Sequence, residues 1–157
     1  MDWTLFLLNQ EVGFFIFFQA ALFKGGKMEK KKILIVEDEH DMRTLLTLHL
    51  GTSGYDIFIA SDGQEGLEET MSVMPDLIIL DLMLPRVGGY EVCTRLKSDK
   101  RFSHIPILIF SARVEDIDKN FGLQCGANDY MFKPFDEDFL LERIQKLLGD
   151  TPDSSLN

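Results

Sequence analysis

Short apolar runs recur along the chain from residue 32 onward, and each is followed by a stretch in which apolar residues repeat at helical spacing. The runs predict strands near 32–36, 55–60, 76–81, 105–110 and 129–132. The stretches between them predict helices near 40–50, 64–73, 88–98, 114–123 and 136–148. Strict alternation of strands and helices indicates parallel pairing through right-handed βαβ crossovers, with helices on both faces of the sheet.

The composition of the runs separates central strands from an edge strand. Residues 33–36, 77–80 and 107–110 are apolar throughout, as expected of strands that are buried on both faces. The run 55–60 is more mixed, which suits an edge. Asp136 is a predicted N-cap for the last helix and Gly149 a predicted stop. The pattern predicts an α/β fold with a doubly wound parallel sheet of five strands.

Residues 1–27 do not follow this pattern. They are strongly apolar but interrupted by the polar run 9–11, and a charge near the centre of a membrane span is costly. A membrane-surface helix and a secretory signal stay open as alternatives, although Asp2 has the wrong charge for a signal. We favour a start of translation at Met28, because residues 24–26 can be encoded by a bacterial ribosome-binding sequence. The chain then divides into an apolar extension (1–27), one folded domain (28–149) and a short polar tail (150–157).

Charge and cysteine content narrow the class of protein. With 26 acidic and 16 basic residues the net charge is -10, which argues against direct binding of nucleic acid. Cys93 and Cys125 form no C-x-x-C motif, so neither a metal site nor a disulfide framework is indicated. Reduced thiols of this kind favour a cytoplasmic location.

Polar residues with compatible chemistry stand at the ends of four predicted strands: Glu37 and Asp38, then Asp81, then Ser111, then Lys133. Ligands of open α/β sheets bind beyond the carboxyl ends of the strands, so these side chains are expected to converge. Three adjacent carboxylates repel one another and need a cation. Oxygen ligands of this type suit Mg²⁺, which also contacts substrate phosphates.

This set of groups favours phosphoryl chemistry at Asp81. An aspartate beside Mg²⁺ can act as nucleophile and form an acyl phosphate, whose oxygens Lys133 and Ser111 could contact. Without phosphate, Lys133 is expected to pair with Asp81. Taken alone, the acidic pair could be a polar loop, Ser111 a cap residue, and Lys133 with Pro134 a turn. Their joint occurrence in a consistent order favours a functional site.

Four motifs resemble the receiver domain of two-component response regulators. They are Ile-Leu-Ile-Val-Glu-Asp-Glu at 33–39, Asp-Leu-Met-Leu-Pro at 81–85, Phe-Ser-Ala-Arg at 110–113, and Gly-Ala-Asn-Asp-Tyr-Met-Phe-Lys-Pro-Phe at 126–135. The resemblance covers roughly residues 30–149. It implies a flavodoxin-like (βα)5 fold with strand order 2-1-3-4-5.

The resemblance also implies a role for each site residue. Asp81 is similar to the phosphoacceptor, and Glu37, Asp38 and the backbone carbonyl of Met83 to the ligands of Mg²⁺ (or Mn²⁺). Lys133 is similar to the family's lysine, Ser111 to its switch hydroxyl, and Tyr130 to its aromatic switch. Met83 and Arg113 hold positions that tune hydrolysis. The ordinary alternatives are a Tyr130 hydroxyl in water, Met83 as loop packing and Arg113 as a solvated helix start.

The function implied is a phosphorylation-activated switch of a two-component system. A histidine kinase or histidine phosphotransfer protein would dock on the first helix and the loop after Phe132. The switch would signal to a downstream effector protein through protein–protein contacts, as a single-domain regulator and without binding DNA itself. It is expected not to be an enzyme, beyond self-catalysed phosphorylation from small donors and autodephosphorylation.

Three further expectations concern the assembly of the protein and the alternative classes of protein to which the chain could belong. A phosphorylation-dependent homodimer is compatible with the resemblance, although Asn128 stands where the winged-helix branch usually has Asp. A receiver-like scaffold that is never phosphorylated is one competing class. A phosphatase with an aspartyl nucleophile is another, but such enzymes typically carry a second acid shortly after the nucleophile, and here residues 82–85 are Leu-Met-Leu-Pro.

Overall fold

The computed structural model describes residues 29–112 and 124–149. Within these ranges there are five strands, β1 (Lys32–Val36), β2 (Asp56–Ala60), β3 (Leu77–Asp81), β4 (Ile107–Ser111) and β5 (Asp129–Phe132). Four helices accompany them, α1 (His40–Thr52), α2 (Gly63–Val73), α3 (Gly89–Ser98) and α4 (Glu137–Leu148). The apolar extension, the predicted helix at 114–123 and the polar tail lie outside the described residues. No helix in the described ranges is long and apolar enough to cross a membrane.

All five strands are parallel and lie in the order β2-β1-β3-β4-β5. This confirms the predicted doubly wound, flavodoxin-like sheet. The chain builds outward from β1 to β2 on one side, and from β3 to β4 and β5 on the other. The strand order therefore reverses between β1 and β3, and the carboxyl ends of these two strands are where ligands of open α/β sheets bind.

The apolar runs are continuous because the two faces of the sheet pack against different helices. Successive side chains of a strand point to opposite faces. Ile33 and Ile35 belong to a core with residues of α1 and α4, whereas Leu34 and Val36 belong to a core with residues of α3. The first core also contains Leu46, Leu50, Leu77, Ile79, Leu108, Phe110, Met131, Leu140 and Ile144. Burial on both faces leaves no polar position in the centre of the sheet.

Element boundaries follow from local hydrogen bonds. β4 begins at Ile107 rather than 105, because Pro106 has no N–H and the Ile105 N–H donates to the Phe102 carbonyl of the preceding turn (2.9 Å). The strand extends through Ser111. Asp136 caps α4 as predicted, its carboxylate accepting from the Phe139 N–H at 3.0 Å. The helix ends at Gly149, also as predicted, where φ is 75°.

Two glycines bring helices into direct contact with strand ends that carry the site. A Cβ on Gly89 would lie 2.1 Å from the carbonyl oxygen of Asp81, so the first turn of α3 touches the backbone that follows β3. A Cβ on Gly66 would lie 2.8 Å from the Cγ1 of Val36, so α2 packs tightly on the end of β1. Both contacts hold a site-bearing strand end against a helix.

Candidate functional site

Three carboxylates converge at the carboxyl ends of β1 and β3. Glu37 follows β1 and is 2% exposed, and Asp81 is the last residue of β3 and is 6% exposed. Asp38 is exposed at the rim. One oxygen of each lies within 4.8 Å of an oxygen of the others, close enough for one cation to contact all three. The structure thus brings together the three acids that the strand pattern singled out.

Backbone groups hold two of these carboxylates in place. The Glu37 N–H donates to the Ala60 carbonyl (3.0 Å), and the Glu37 Oε1 accepts from the Glu39 N–H (3.2 Å). The Asp81 Oδ1 accepts from the N–H of Met83 (3.0 Å). Each buried carboxylate therefore has one oxygen engaged by the loop that follows its own strand.

Lys133 supplies the positive charge of the site. Its backbone N–H donates to the Ser111 carbonyl (2.9 Å), which continues the β4–β5 pairing past the end of β5. Its ammonium donates to the Oδ2 of Asp81 (3.0 Å), as predicted, and also to the Oε2 of Glu37 (2.5 Å), which the strand pattern did not predict. Burial lowers the pKa of Lys133, but the hydrogen bonds to Glu37 and Asp81 outweigh it and the pKa is raised overall. Lys133 is cationic at neutral pH.

Glu37 is the group whose protonation is most sensitive to this environment. The pKa of Glu37 is raised from 4.5 to about 7, mainly by burial and in smaller part by the charge of Asp81. The hydrogen bond from Lys133 opposes both effects without cancelling them. Among the described residues one ammonium, that of Lys133, contacts these carboxylates, and it leaves them with excess negative charge, so a divalent cation would be favoured here.

Ser111 and Tyr130 lie on the β4–β5 side of the site. Ser111 is fully buried, one residue beyond Phe110, the β4 residue paired with Asp81. Tyr130 pairs with Ile109, and its hydroxyl is buried, with the Cys125 thiol, a weak acceptor, as its polar neighbour. Burial is the main reason that the pKa of Tyr130 is raised. The alternative of a Tyr130 hydroxyl in water is therefore wrong for this structure.

The two residues predicted to tune hydrolysis have different outcomes. The side chain of Met83 is 52% exposed beside the site, so it is not loop packing. Its role as a carbonyl ligand stays a prediction. Arg113 lies outside the described residues, so its role in tuning hydrolysis stays a prediction.

Arg43 is a site residue that the strand pattern missed. It lies in the first turns of α1, and its Nη1 donates to the carbonyl oxygens of Glu37 (2.7 Å) and Asp38 (2.8 Å). One signal in the sequence could have found it. A cation near a helix N-terminus is unfavourable in the field of the helix dipole, so an arginine there needs nearby acceptors.

Comparison with known proteins gives a consistent picture. Residues 33–145 match the family model of the response regulator receiver domain. The chain is 47% identical over 118 residues to the alkaline phosphatase synthesis transcriptional regulatory protein PhoP of Bacillus subtilis, a match covering 75% of this chain and 48% of that protein. The chain thus spans about half the length of this curated relative.

Two solved structures share the fold. Chemotaxis protein CheY4 of Vibrio cholerae superimposes with a TM-score of 0.71 at 28% identity, covering 75% of this chain and 98% of that one. The receiver domain of the sensor histidine kinase PA1611 of Pseudomonas aeruginosa has a TM-score of 0.71 at 28% identity and covers 76% and 98%. That structure has a magnesium ion coordinated in its active site cleft. On its fold, its motifs and the match over residues 33–145, the chain belongs to the response regulator receiver family of two-component signalling systems.

Proposed function

We propose that this chain is a phosphorylation-activated switch in which Asp81 accepts a phosphoryl group from a histidine kinase or a histidine phosphotransfer protein. The observation that carries the proposal is the arrangement around Asp81. Its carboxylate stands at the end of the central strand β3, one oxygen held by the Met83 N–H and the other by Lys133. Glu37 and Asp38 lie within ligand distance of the same point.

The donor set fits Mg²⁺ or Mn²⁺. Three carboxylate oxygens within 4.8 Å of one another are hard ligands, and one of the three acids is open to solvent, from which water can complete the coordination shell. Glu37, Asp38 and Asp81 would hold the ion, together with the carbonyl of Met83. Bound there, the ion would neutralise charge on the carboxylates and on the incoming phosphoryl oxygens.

The residues around Asp81 are placed to direct an in-line displacement. An Asp81 oxygen attacks phosphorus, forming the P–O bond of an acyl phosphate while the bond from phosphorus to the donor nitrogen breaks and the donor imidazole leaves. The Met83 N–H keeps the other oxygen from rotating. Lys133 already lies at hydrogen-bond distance from Asp81 and can transfer a hydrogen bond to a phosphoryl oxygen.

The side of the site toward β5 would transmit the change. Ser111 would move toward a phosphoryl oxygen, and Tyr130, whose buried hydroxyl has only the weakly accepting Cys125 thiol beside it among the described residues, would move with it. Met83 and Arg113 would set the rate of autodephosphorylation. The output would be contact with a downstream effector protein or a second copy of this chain. The net charge of -10 of the whole chain supports protein partners over nucleic acid.

Labelling with a small donor tests the proposal. The unmodified chain should take up phosphate from acetyl phosphate when Mg²⁺ is present and not in EDTA, and the label should be released by hydroxylamine, as an acyl phosphate is. Asp81→Asn should take up none. Asp56→Asn, an exposed aspartate at the opposite end of the sheet, should be labelled normally.

The same assay separates the competing classes. Full labelling of the Asp81→Asn variant would contradict the assignment of the phosphoacceptor. No labelling of the unmodified chain would favour a scaffold. Labelling with continuous turnover of added phosphate esters would favour an aspartyl-nucleophile phosphatase.

A further inference from the structure

Arg43 bridges the two peptide units on either side of Asp38. Its Nη1 donates to the Glu37 carbonyl, which belongs to the peptide before Asp38, and to the Asp38 carbonyl, which belongs to the peptide after it. Because φ and ψ of a residue are set by the orientation of these two peptide planes, the bridge sets the backbone conformation of Asp38. The direction of its side chain follows from that conformation.

Asp38 has little else to orient it. Glu37 is held by the Ala60 carbonyl, the Glu39 N–H and the Lys133 ammonium. The Asp38 carboxylate is exposed, and among the described residues no hydrogen bond or ion pair reaches it. Of the three acids, Asp38 is thus the one whose position depends on the backbone of its loop.

We propose that Arg43 is a positioning residue, which holds Asp38 where a divalent cation can be shared with Glu37 and Asp81. This role rests on the proposed function, because it concerns the same metal site. Arg43 itself contacts neither the ion nor the phosphoryl group. It acts through two charge-assisted hydrogen bonds to the loop, which are stronger than neutral ones.

The charge and the geometry of Arg43 have opposite effects on metal binding. A guanidinium beside an acidic site repels a cation, so loss of the charge alone would tighten Mg²⁺ binding. Loss of the bridge frees Asp38 and weakens Mg²⁺ binding. The direction of the change in affinity therefore distinguishes a positioning role from a purely electrostatic one.

The test is calorimetric titration of the full chain with MgCl2. Arg43→Met should weaken Mg²⁺ binding ~10-fold, in the range found when groups that orient metal ligands are removed. Arg43→Lys keeps the charge but loses the rigid planar group in which Nη1 directs two N–H bonds at the two carbonyls, and an intermediate weakening is expected. Arg95→Met is the matched control. It removes the same charge from an exposed position on α3, where Arg95 pairs with Glu91, and should change the affinity by less than about two-fold.

A second readout separates positioning from a general structural role. With acetyl phosphate as donor, Arg43→Met should need ~10-fold more Mg²⁺ for half-maximal labelling, yet reach the maximal rate of the unmodified chain at saturating Mg²⁺. The urea unfolding midpoint in EDTA reports whether the variant is folded. If Arg43→Met does not fold, Arg43→Lys decides, and unchanged Mg²⁺ affinity in that variant overturns the proposal.

Failure of this role and failure of the proposed function give different results. Unchanged or tighter Mg²⁺ binding by Arg43→Met, in a chain that is labelled normally, overturns the positioning role alone. Mg²⁺ binding that weakens as expected, in a chain that takes no label, overturns the proposed function and leaves the role of Arg43 standing. A chain that binds no Mg²⁺ overturns both.

Discussion

The metal-free chain should lose stability as the pH rises from about 4.5 to about 7, because Glu37 must ionise in a buried site. In the unfolded chain Glu37 ionises near its ordinary pKa of 4.5, whereas in the folded chain its pKa is about 7. Between these values the folded state binds more protons than the unfolded state. The contribution to stability is therefore complete below pH 4.5 and is lost as the pH rises through about 7.

The size of the effect follows from the change in pKa. At 1.36 kcal/mol per pKa unit, the rise of the Glu37 pKa from 4.5 to about 7 corresponds to at most about 3.4 kcal/mol. Solvent at the exposed Asp38 side of the site screens part of this free energy. We therefore expect the chain to lose about 2 kcal/mol of stability. That is a large fraction of the stability of an ordinary domain.

Urea unfolding in EDTA over a pH series measures the effect. The useful quantity is the free energy of unfolding of the unmodified chain minus that of Glu37→Gln, because titrating groups that do not interact with Glu37 cancel in the difference. The difference should fall by about 2 kcal/mol between about pH 4.5 and pH 8.

A flat difference for Glu37→Gln would refute this reasoning, and so would a difference that rises with pH. Mg²⁺ provides an independent check at about pH 8, where Glu37 is ionised. If the ion binds the folded chain and not the unfolded one, a concentration of 100 times Kd should raise the free energy of unfolding by about 2.7 kcal/mol. No rise would contradict the assignment of Glu37, Asp38 and Asp81 as ligands.

Three further predictions concern packing and capping, and urea unfolding measures each. Gly66→Ala should lower the free energy of unfolding by about 1–2 kcal/mol despite better helix propensity, because the new Cβ meets Val36, and Val36→Ala should relieve much of that loss in the double variant. Strictly additive effects would contradict the contact. Tyr130→Phe removes a buried hydroxyl whose polar neighbour is the Cys125 thiol, a weak acceptor, and should stabilise the chain by about 1 kcal/mol, so a loss of stability would count against the buried pose. Asp136→Ala removes the cap at the Phe139 N–H and should cost about 1 kcal/mol, whereas an unchanged midpoint would show that the cap contributes nothing.

The positions of the strand ends could be predicted because they depend only on the spacing of apolar residues and on the direction of the strands. Apolar runs that are buried on both faces mark the strands, and parallel pairing brings their carboxyl ends to one edge. Glu37, Asp81 and Lys133 lie together at this edge as expected, and the predicted contact between Lys133 and Asp81 is present. The strand order came from the resemblance to a family rather than from the pattern itself.

Other features depend on how far side chains reach and on the local backbone geometry. Neither can be predicted from the spacing of apolar residues. The contact of Lys133 with Glu37 requires two long side chains to meet between the ends of β5 and β1. The bridge from Arg43 depends on the rotation of α1 relative to its preceding loop. The start of β4 depends on Pro106, which has no N–H. In the hydrophobic pattern Pro106 reads only as one more apolar residue.

The contact between Gly89 and the end of β3 limits which sequences this site can tolerate. With only 2.1 Å between a would-be Cβ and the Asp81 carbonyl oxygen, every other amino acid would push the backbone of Asp81 aside or tilt α3 away from it. A library with all twenty residues at position 89, selected for phosphorylation at Asp81, should therefore return glycine alone. Residue 88, where a Cβ would meet nothing within 4 Å, should be far more permissive.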